Sequence, residues 1–245
     1  MDKKLSDSVK HKIIQSLIDQ KDIFGDELLE KVNIKLEKKM IVDNSVNDTE
    51  DSDNNDWINS KTLEQLDTLI NTCSKCTLAK NRTNFVFGSG NPNADVMIIG
   101  EGPGAEEDKQ GLPFVGRAGK LLTDILKAIN FTRDEVFIAN VVKCRPPANR
   151  TPLPIEMEMC IPYLKKQIEL IRPKLILCLG RTAAQGILKM NDSLGNMRGK
   201  FFDFENAKVM VTYHPAALLR NPHWKRATWE DVQKFRVLYD KLLEK

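Results

Sequence analysis

Four short apolar runs, each ending in small or polar residues, set the strongest limit on what this chain can fold into: "ADVMIIGEGPG" from Ala94, "EVFIANVVKC" from Glu135, "PKLILCLGRTAA" from Pro173 and "AKVMVTYHPAA" from Ala207. Short apolar runs without polar alternation are strands covered on both faces, and the segments between them carry helical spacing. The alternation predicts an α/β fold, a three-layer α/β/α sandwich around a mostly parallel four-stranded sheet. In open parallel sheets functional groups gather beyond the carboxyl ends of the strands. All the motifs below that carry chemistry lie there.

The first sixty residues follow other rules. They hold 9 Lys against 14 Asp and Glu, a balance of −5 within a total of +3, which leaves the remainder at +8. A basic body suits a polyanionic partner. Ile13, Ile14, Leu17 and Ile18, then Leu28, Leu29, Val32 and Ile34, recur at helical spacing, whereas "VDNSVNDTEDSDNNDWINS" from Val42 is too polar to order itself. Residues 1–59 therefore read as a helical extension with an acidic linker, and residues 60–245 as the folded domain, with Trp57 marking where folding resumes. Residues 1–40 are expected to dock a protein partner. Leu63, Leu66, Leu69 and Ile70 form a helical stripe behind Ser60, a candidate cap. No run of about 18 apolar residues is present to cross a membrane, and the start lacks a secretory apolar stretch. A monomeric, cytoplasmic, nucleoid-associated protein is expected.

The turn after the first run, "GEGPG", has the glycines of a phosphate loop but is followed by Glu106, Glu107 and Asp108. A dinucleotide fingerprint fails because position 105 is alanine, and a P-loop fails because Gly119-Lys120 precedes Leu121. The acids would repel pyrophosphate. The turn must hold something that is not an anion, or something that needs a carboxylate.

Three motifs in order, "GEGPGAEEDKQGLPFVGRAG", "NVVKCRPPANRTP" and "HPAALLRNP", make the chain resemble the family 4 uracil-DNA glycosylases, the iron-sulfur branch of their superfamily, across roughly Leu69 to Leu243. The resemblance implies hydrolysis of the N-glycosidic bond of deoxyuridine in single- or double-stranded DNA. A base must leave the stack before its sugar bond can be reached, so a pocket with a stacking face, an edge reader and charge stabilisation is required. Phe114 supplies the aromatic face. Asn140 can donate and accept at once, as the uracil O4/N3 edge demands. The resemblance sets Glu107 beside uracil C5, where thymine carries a methyl, and counts Gly102 among the base-binding residues. Glu101 is the candidate to orient water and stabilise an oxocarbenium-like sugar, with Glu107 in reserve. His214 can donate to uracil O2 as charge moves onto the base. Leu218 or Leu219 is the wedge that fills the vacated stack, while Arg145, Arg150 and Arg220 contact phosphate.

The spacing of Cys73, Cys76, Cys144 and Cys160 on its own favours structural zinc. The resemblance instead implies a 4Fe-4S cluster on these four, acting as a staple for the loop after Cys144. Cys178, inside "LILCLG", reads as a buried small hydrophobe. Two other readings stay open at this point: a protein that traps uracil-DNA without cleaving it, and a zinc-stabilised protein of unknown substrate.

Overall fold

A computed structural model of the chain describes residues 55–244; the expected helices before residue 40 and most of the acidic linker lie outside the described residues. A 3-10 turn at Asn55–Asn59 leads into α1 (Leu63–Ile70), followed by β1 (Ser89–Gly90), β2 (Val96–Gly100), α2 (Ala105–Gln110), α3 (Arg117–Ala128) and β3 (Phe137–Asn140). Then come α4 (Pro154–Ile171), β4 (Leu175–Leu179), α5 (Arg181–Leu188), α6 (Leu194–Met197), β5 (Phe201–Phe204), β6 (Ala207–Thr212), α7 (Pro215–Arg220) and α8 (Lys225–Leu243).

The four apolar runs form β3, β2, β4 and β6, side by side and parallel, with Ile98 opposite both Ile138 and Leu177, and Leu177 opposite Met210. Their side chains alternate between two cores. Met97, Ile99, Ile176, Cys178, Val209 and Val211 face Leu164, Ile168, Ala183 and Ile187 of α4 and α5. Val96, Ile98, Leu175, Leu177 and Met210 face Leu122 and Leu126 of α3 and Val232 and Phe235 of α8. Each fully buried Leu, Ile or Phe contributes about 1.5–3 kcal/mol, so continuous apolar runs are what a sheet covered on both sides requires.

Among the described residues the sheet has six strands rather than four. The two additional ones are antiparallel edges: β1 beside β3, with Ser89 opposite Ile138, and β5 beside β6, with Phe201 opposite Met210. β1 is only two residues long and β5 alternates between exposed and half-buried positions, so neither carries a continuous apolar run. At α1 the cap also differs from expectation. Thr62 Oγ1 accepts from Gln65 N at 3.2 Å, while Ser60 Oγ donates to the Trp57 carbonyl at 2.6 Å. Trp57 packs edge-on against Tyr163 with ring centroids 4.8 Å apart, joining the turn at residue 55 to α4. Among the described residues no helix is long and apolar enough to cross a membrane.

Candidate active site

Chain order reverses about β2: β3 lies on one side, β4 and β6 on the other. The crevice between the carboxyl ends of β2 and β4 is the place where such sheets bind ligands. Glu101 follows β2 and hydrogen-bonds Thr182, near the start of α5 after β4. Burial raises the Glu101 carboxyl above the usual glutamate range, and the Thr182 contact works against that shift. Thr182 is absent from the sequence reading; its signal was its position just beyond the end of an apolar run.

Phe114, Asn140 and Gly100 converge beside this crevice. A Cβ on Gly100 would sit 2.4 Å from Asn140 Oδ1 and 2.6 Å from Phe114 Cζ, so only glycine leaves room for both side chains there. Asn140, paired with Gly100 across β3 and β2, is 2% exposed, and among the described residues its Oδ1 has no hydrogen-bond partner. An unpaired buried acceptor costs about 1–3 kcal/mol and calls for an explanation. Phe114 holds a positive φ of 54°, a strained state for a bulky residue. Arg133 clamps it there by donating to the Phe114 carbonyl at 3.1 Å and the Pro113 carbonyl at 2.8 Å. Gly119 completes the clamp, because a Cβ there would fall 1.8 Å from the Phe114 carbonyl oxygen.

The acids after the glycine turn are internal anions. Glu107 Oε1 accepts from Val115 N and Gly116 N, both at 2.9 Å, and Oε2 reaches back to Gly104 N at 3.1 Å. Asp108, 4% exposed, accepts from Thr83 N at 2.8 Å and Asn84 N at 3.3 Å. Glu107 takes the Gly104 N–H of the turn that a phosphate would otherwise use, and Asp108 ties the same helix to the segment before β1, whereas Glu106 is exposed. Glu107 thereby holds the loop carrying Phe114. Glu107→Ala should lower stability by about 2 kcal/mol, a fall of about 4–8 °C in melting temperature. A variant that melts like the parent would make Glu107 a pocket wall rather than a loop support.

His214 caps α7, with Nδ1 accepting from Ala216 N at 3.1 Å. That bond assigns the proton to Nε2, leaving a neutral ring with one outward donor. Burial, reinforced by the charge on Arg220, pushes its pKa down to about 4. The ring lies 5.4 Å from that of Phe114, tilted by 31°. Behind it, Asp231 accepts from Thr212 Oγ1 at 2.8 Å and from Arg198 Nη2 at 2.8 Å and Nε at 3.1 Å. This network fixes the end of β6 two residues before the imidazole. A groove of 640 Å³ lined by Trp57, Met157, Ile161, Gln185 and Lys189 shares none of these residues.

A family model described as the uracil DNA glycosylase superfamily matches residues 87–233, which span every element just described from β1 to the first half of α8. The chain belongs to the uracil-DNA glycosylase superfamily. It is 44% identical over 190 residues to the type-4 uracil-DNA glycosylase of Archaeoglobus fulgidus, covering 73% of this chain and 96% of that one. To the type-4 enzyme of Sulfurisphaera tokodaii it is 47% identical over 185 residues, 72% of this chain and 84% of the relative. To that of Thermotoga maritima it is 44% identical over 183 residues, 73% and 95%.

In this superfamily member the expected wedge residues separate clearly. Leu218 is 1% exposed and part of the core; Leu219 is 39% exposed and Arg220 is exposed beside it. Arg145 Nε donates to Asn149 Oδ1 at 2.8 Å. Arg150 grips Glu156 with both terminal nitrogens, at 2.8 and 2.7 Å, so its fork is already occupied by a carboxylate. Gly102 sits against Val142, whose Cγ2 would lie 2.7 Å from an added Cβ.

Glu156 is 1% exposed and also accepts from Thr77 Oγ1 and Leu153 N, tying three segments around the cysteines together. The Arg150 contact leads in lowering its pKa to about 2. A lowered carboxyl stabilises above the ordinary glutamate range and loses that contribution as pH falls toward 2. Glu156→Gln should cost about 2–4 kcal/mol near neutral pH and flatten the loss of stability between about pH 5 and 2, read by denaturant melts across that range.

Cys73, Cys76, Cys144 and Cys160 are all free thiols, with Cys73 and Cys76 in electrostatic reach of Cys144, and Cys73 and Cys144 in reach of Cys160. Arg82 Nη1 donates to Cys144 Sγ at 3.1 Å, Lys143 N to Cys160 Sγ at 3.3 Å and Tyr163 Oη to Cys73 Sγ at 3.4 Å. Four thiols with N–H and O–H donors and two nearby cations have the chemistry of thiolate ligands. Among the described residues no group of three or more His, Cys, Asp or Glu is arranged to hold a single metal ion. Cys178 is fully buried and its thiol is pushed up to about 12, an inert core residue.

Proposed function

We propose that the chain is a monofunctional uracil-DNA glycosylase of base excision repair, acting as a monomer on intracellular DNA. The observation that carries this reading is the unpaired Oδ1 of Asn140, buried against Phe114. A uracil stacked on Phe114 donates its N3–H to that oxygen and accepts the Asn140 amide at O4. As the C1′–N1 bond breaks, its electron pair leaves with the base. The charge reaching O2 meets the Nε2–H of His214, which is neutral throughout the physiological range. Glu101 stabilises the positive sugar and orients a water; the water oxygen bonds C1′ and its proton passes to the carboxylate. The uracil anion then takes up a proton from solvent and Glu101 releases the one it received, leaving free uracil and an abasic site. Glu107 supports the Phe114 loop in this scheme, which leaves Glu101 as the catalytic carboxylate. Leu219 is the wedge, and Arg145 and Arg220 hold phosphate.

Incubation with single-stranded DNA containing one uracil, followed by alkali, tests the reading. Scission at the uracil is the expected result; an intact strand retained on the protein would assign the pocket to base capture.

We propose further that Cys73, Cys76, Cys144 and Cys160 hold a 4Fe-4S cluster, which would staple together the segment before β1, the loop after β3 and α4. The thiol quartet, its hydrogen-bond donors and the likeness to type-4 enzymes support this. Protein purified without oxygen should contain iron and labile sulfide, and Cys144→Ser should lower both and destabilise the fold, while Cys178→Ser leaves the iron content unchanged. Stoichiometric zinc without iron would overturn the cluster.

A further inference from the structure

The wedge helix α7 runs through Asn221 into a 3-10 turn at Pro222–Trp224 and then directly into α8. Between Arg220 and Arg226 the chain carries Arg220, Lys225 and Arg226, with His223 between them, and no acid. Lys225 and Arg226 stand in the first turn of a 19-residue helix that has no acidic residue there. Cations at that end oppose the helix dipole. Arg226 gains little in return: its contact with Glu230 is 3.6 Å long between side chains 90% and 56% exposed, a pair of negligible worth. A local rule broken without structural compensation marks a functional surface.

The buried residues of α8, Thr228, Asp231, Val232 and Phe235, define the face turned to the core. Trp229 is 42% exposed. It lies three and four residues after Arg226 and Lys225, the spacing of neighbours on one helix surface. The turn beneath is packed against the core side: Trp224 stacks on Tyr213 at 4.7 Å and 13°, and the Arg198 guanidinium lies 5.5 Å from the Tyr213 ring. Tyr213 directly precedes His214. An exposed aromatic among cations, continuous with the wedge loop, has the composition of a single-strand platform, in which cations track phosphates and a ring stacks on bases.

We propose that Lys225, Arg226 and Trp229 form a second DNA-contacting surface that takes the single strand flanking the extruded nucleotide. The proposal rests on reading the neighbouring pocket as the one that receives the base. Its ligand is the phosphate backbone and an unpaired base of the same strand, outside the uracil pocket.

The test measures binding of a single strand of about 20 nucleotides, long enough to cover more than one site of this size, carrying 2′-fluoro-2′-deoxyuridine, whose glycosidic bond resists cleavage. The dissociation constant of the full chain is followed against salt. Each phosphate contact on a single strand contributes about 0.7 to the slope of log K against log salt. Lys225→Ala with Arg226→Ala should therefore lower the slope by about 1.4, and Trp229→Ala should weaken binding roughly tenfold with the slope unchanged. Lys127→Ala with Lys241→Ala, both exposed, is the control; position 241 lies about 24 Å along α8 from position 225, and this pair should leave the slope as in the parent. On a trinucleotide centred on the same analogue the Lys225/Arg226 variant should bind like the parent. An unchanged slope on the long strand, or equal weakening on the trinucleotide, would overturn the proposal. The readout is binding, so a parent that binds with the expected slope but releases no uracil would remove the glycosylase reading and leave this surface standing.

Discussion

Glu101→Gln should slow uracil excision in a single turnover by about 10²–10³-fold while changing the affinity for uracil-containing DNA little. The substitution keeps the shape of the side chain and its contact with Thr182 but removes the charge proposed to stabilise the sugar cation, a loss confined to the transition state. The parent should also show a characteristic acid limb. Burial raises the Glu101 carboxyl above the usual range, so the active, ionised form is lost at a higher pH than for an exposed glutamate. The single-turnover rate should fall as pH drops through that raised value, and Glu101→Gln should lack the limb. His214 adds a second effect lower down. Its pKa near 4 lies below that of a free histidine. The unfolded chain takes up the proton first, so the stability His214 contributes is complete above about pH 6.5 and declines as pH falls toward 4. A Glu101→Gln protein that excises at the parental rate would transfer the catalytic role elsewhere in the pocket.

Asn140→Ala should lower excision of uracil by about 10²-fold and should not unfold the protein. In the free enzyme Oδ1 is already an unpaired buried acceptor, so its removal relieves a cost in the empty pocket and withdraws a hydrogen bond only when uracil is bound. Melting temperature should stay level or rise while activity falls. This opposite movement separates a base-reading residue from a structural one: equal losses of both would mean that Asn140 serves the fold. Asn140→Asp should narrow the preference for uracil over cytosine, because it exchanges the donor aimed at O4 for an acceptor facing the cytosine amino group.

The four central strands were legible because burial on both faces demands apolar residues at nearly every position, Lys208 in β6 being exposed, and few other elements of five residues read that way. The edges were not: β1 is two residues long and β5 shares the alternating pattern of any half-exposed segment. Ser60 and Thr62 are both competent caps, and only the direction of the first helical turn selects Thr62. The conflict between glycines and acids was visible in the sequence, but its resolution lies in loops that return eight or nine residues later to Glu107 and about 25 residues earlier to Asp108. Non-local contacts also explain what was missed. Arg133 reaches Phe114 across 19 residues, and Thr182 meets Glu101 across the sheet crevice. Arg150 and Arg145 looked alike in one proline-rich loop; a single buried partner, Glu156, six residues on, sets Arg150 apart as a structural cation.

Free uracil and abasic sites should be counted together in one turnover, with excess full-length protein and a strand bearing a single uracil, beside identical strands bearing thymine or cytosine there. One free uracil is expected for each abasic site formed, at a rate that falls with Asn140→Ala and Glu101→Gln, with no release of thymine or cytosine. Tight binding of the uracil strand with neither product would contradict the glycosylase reading.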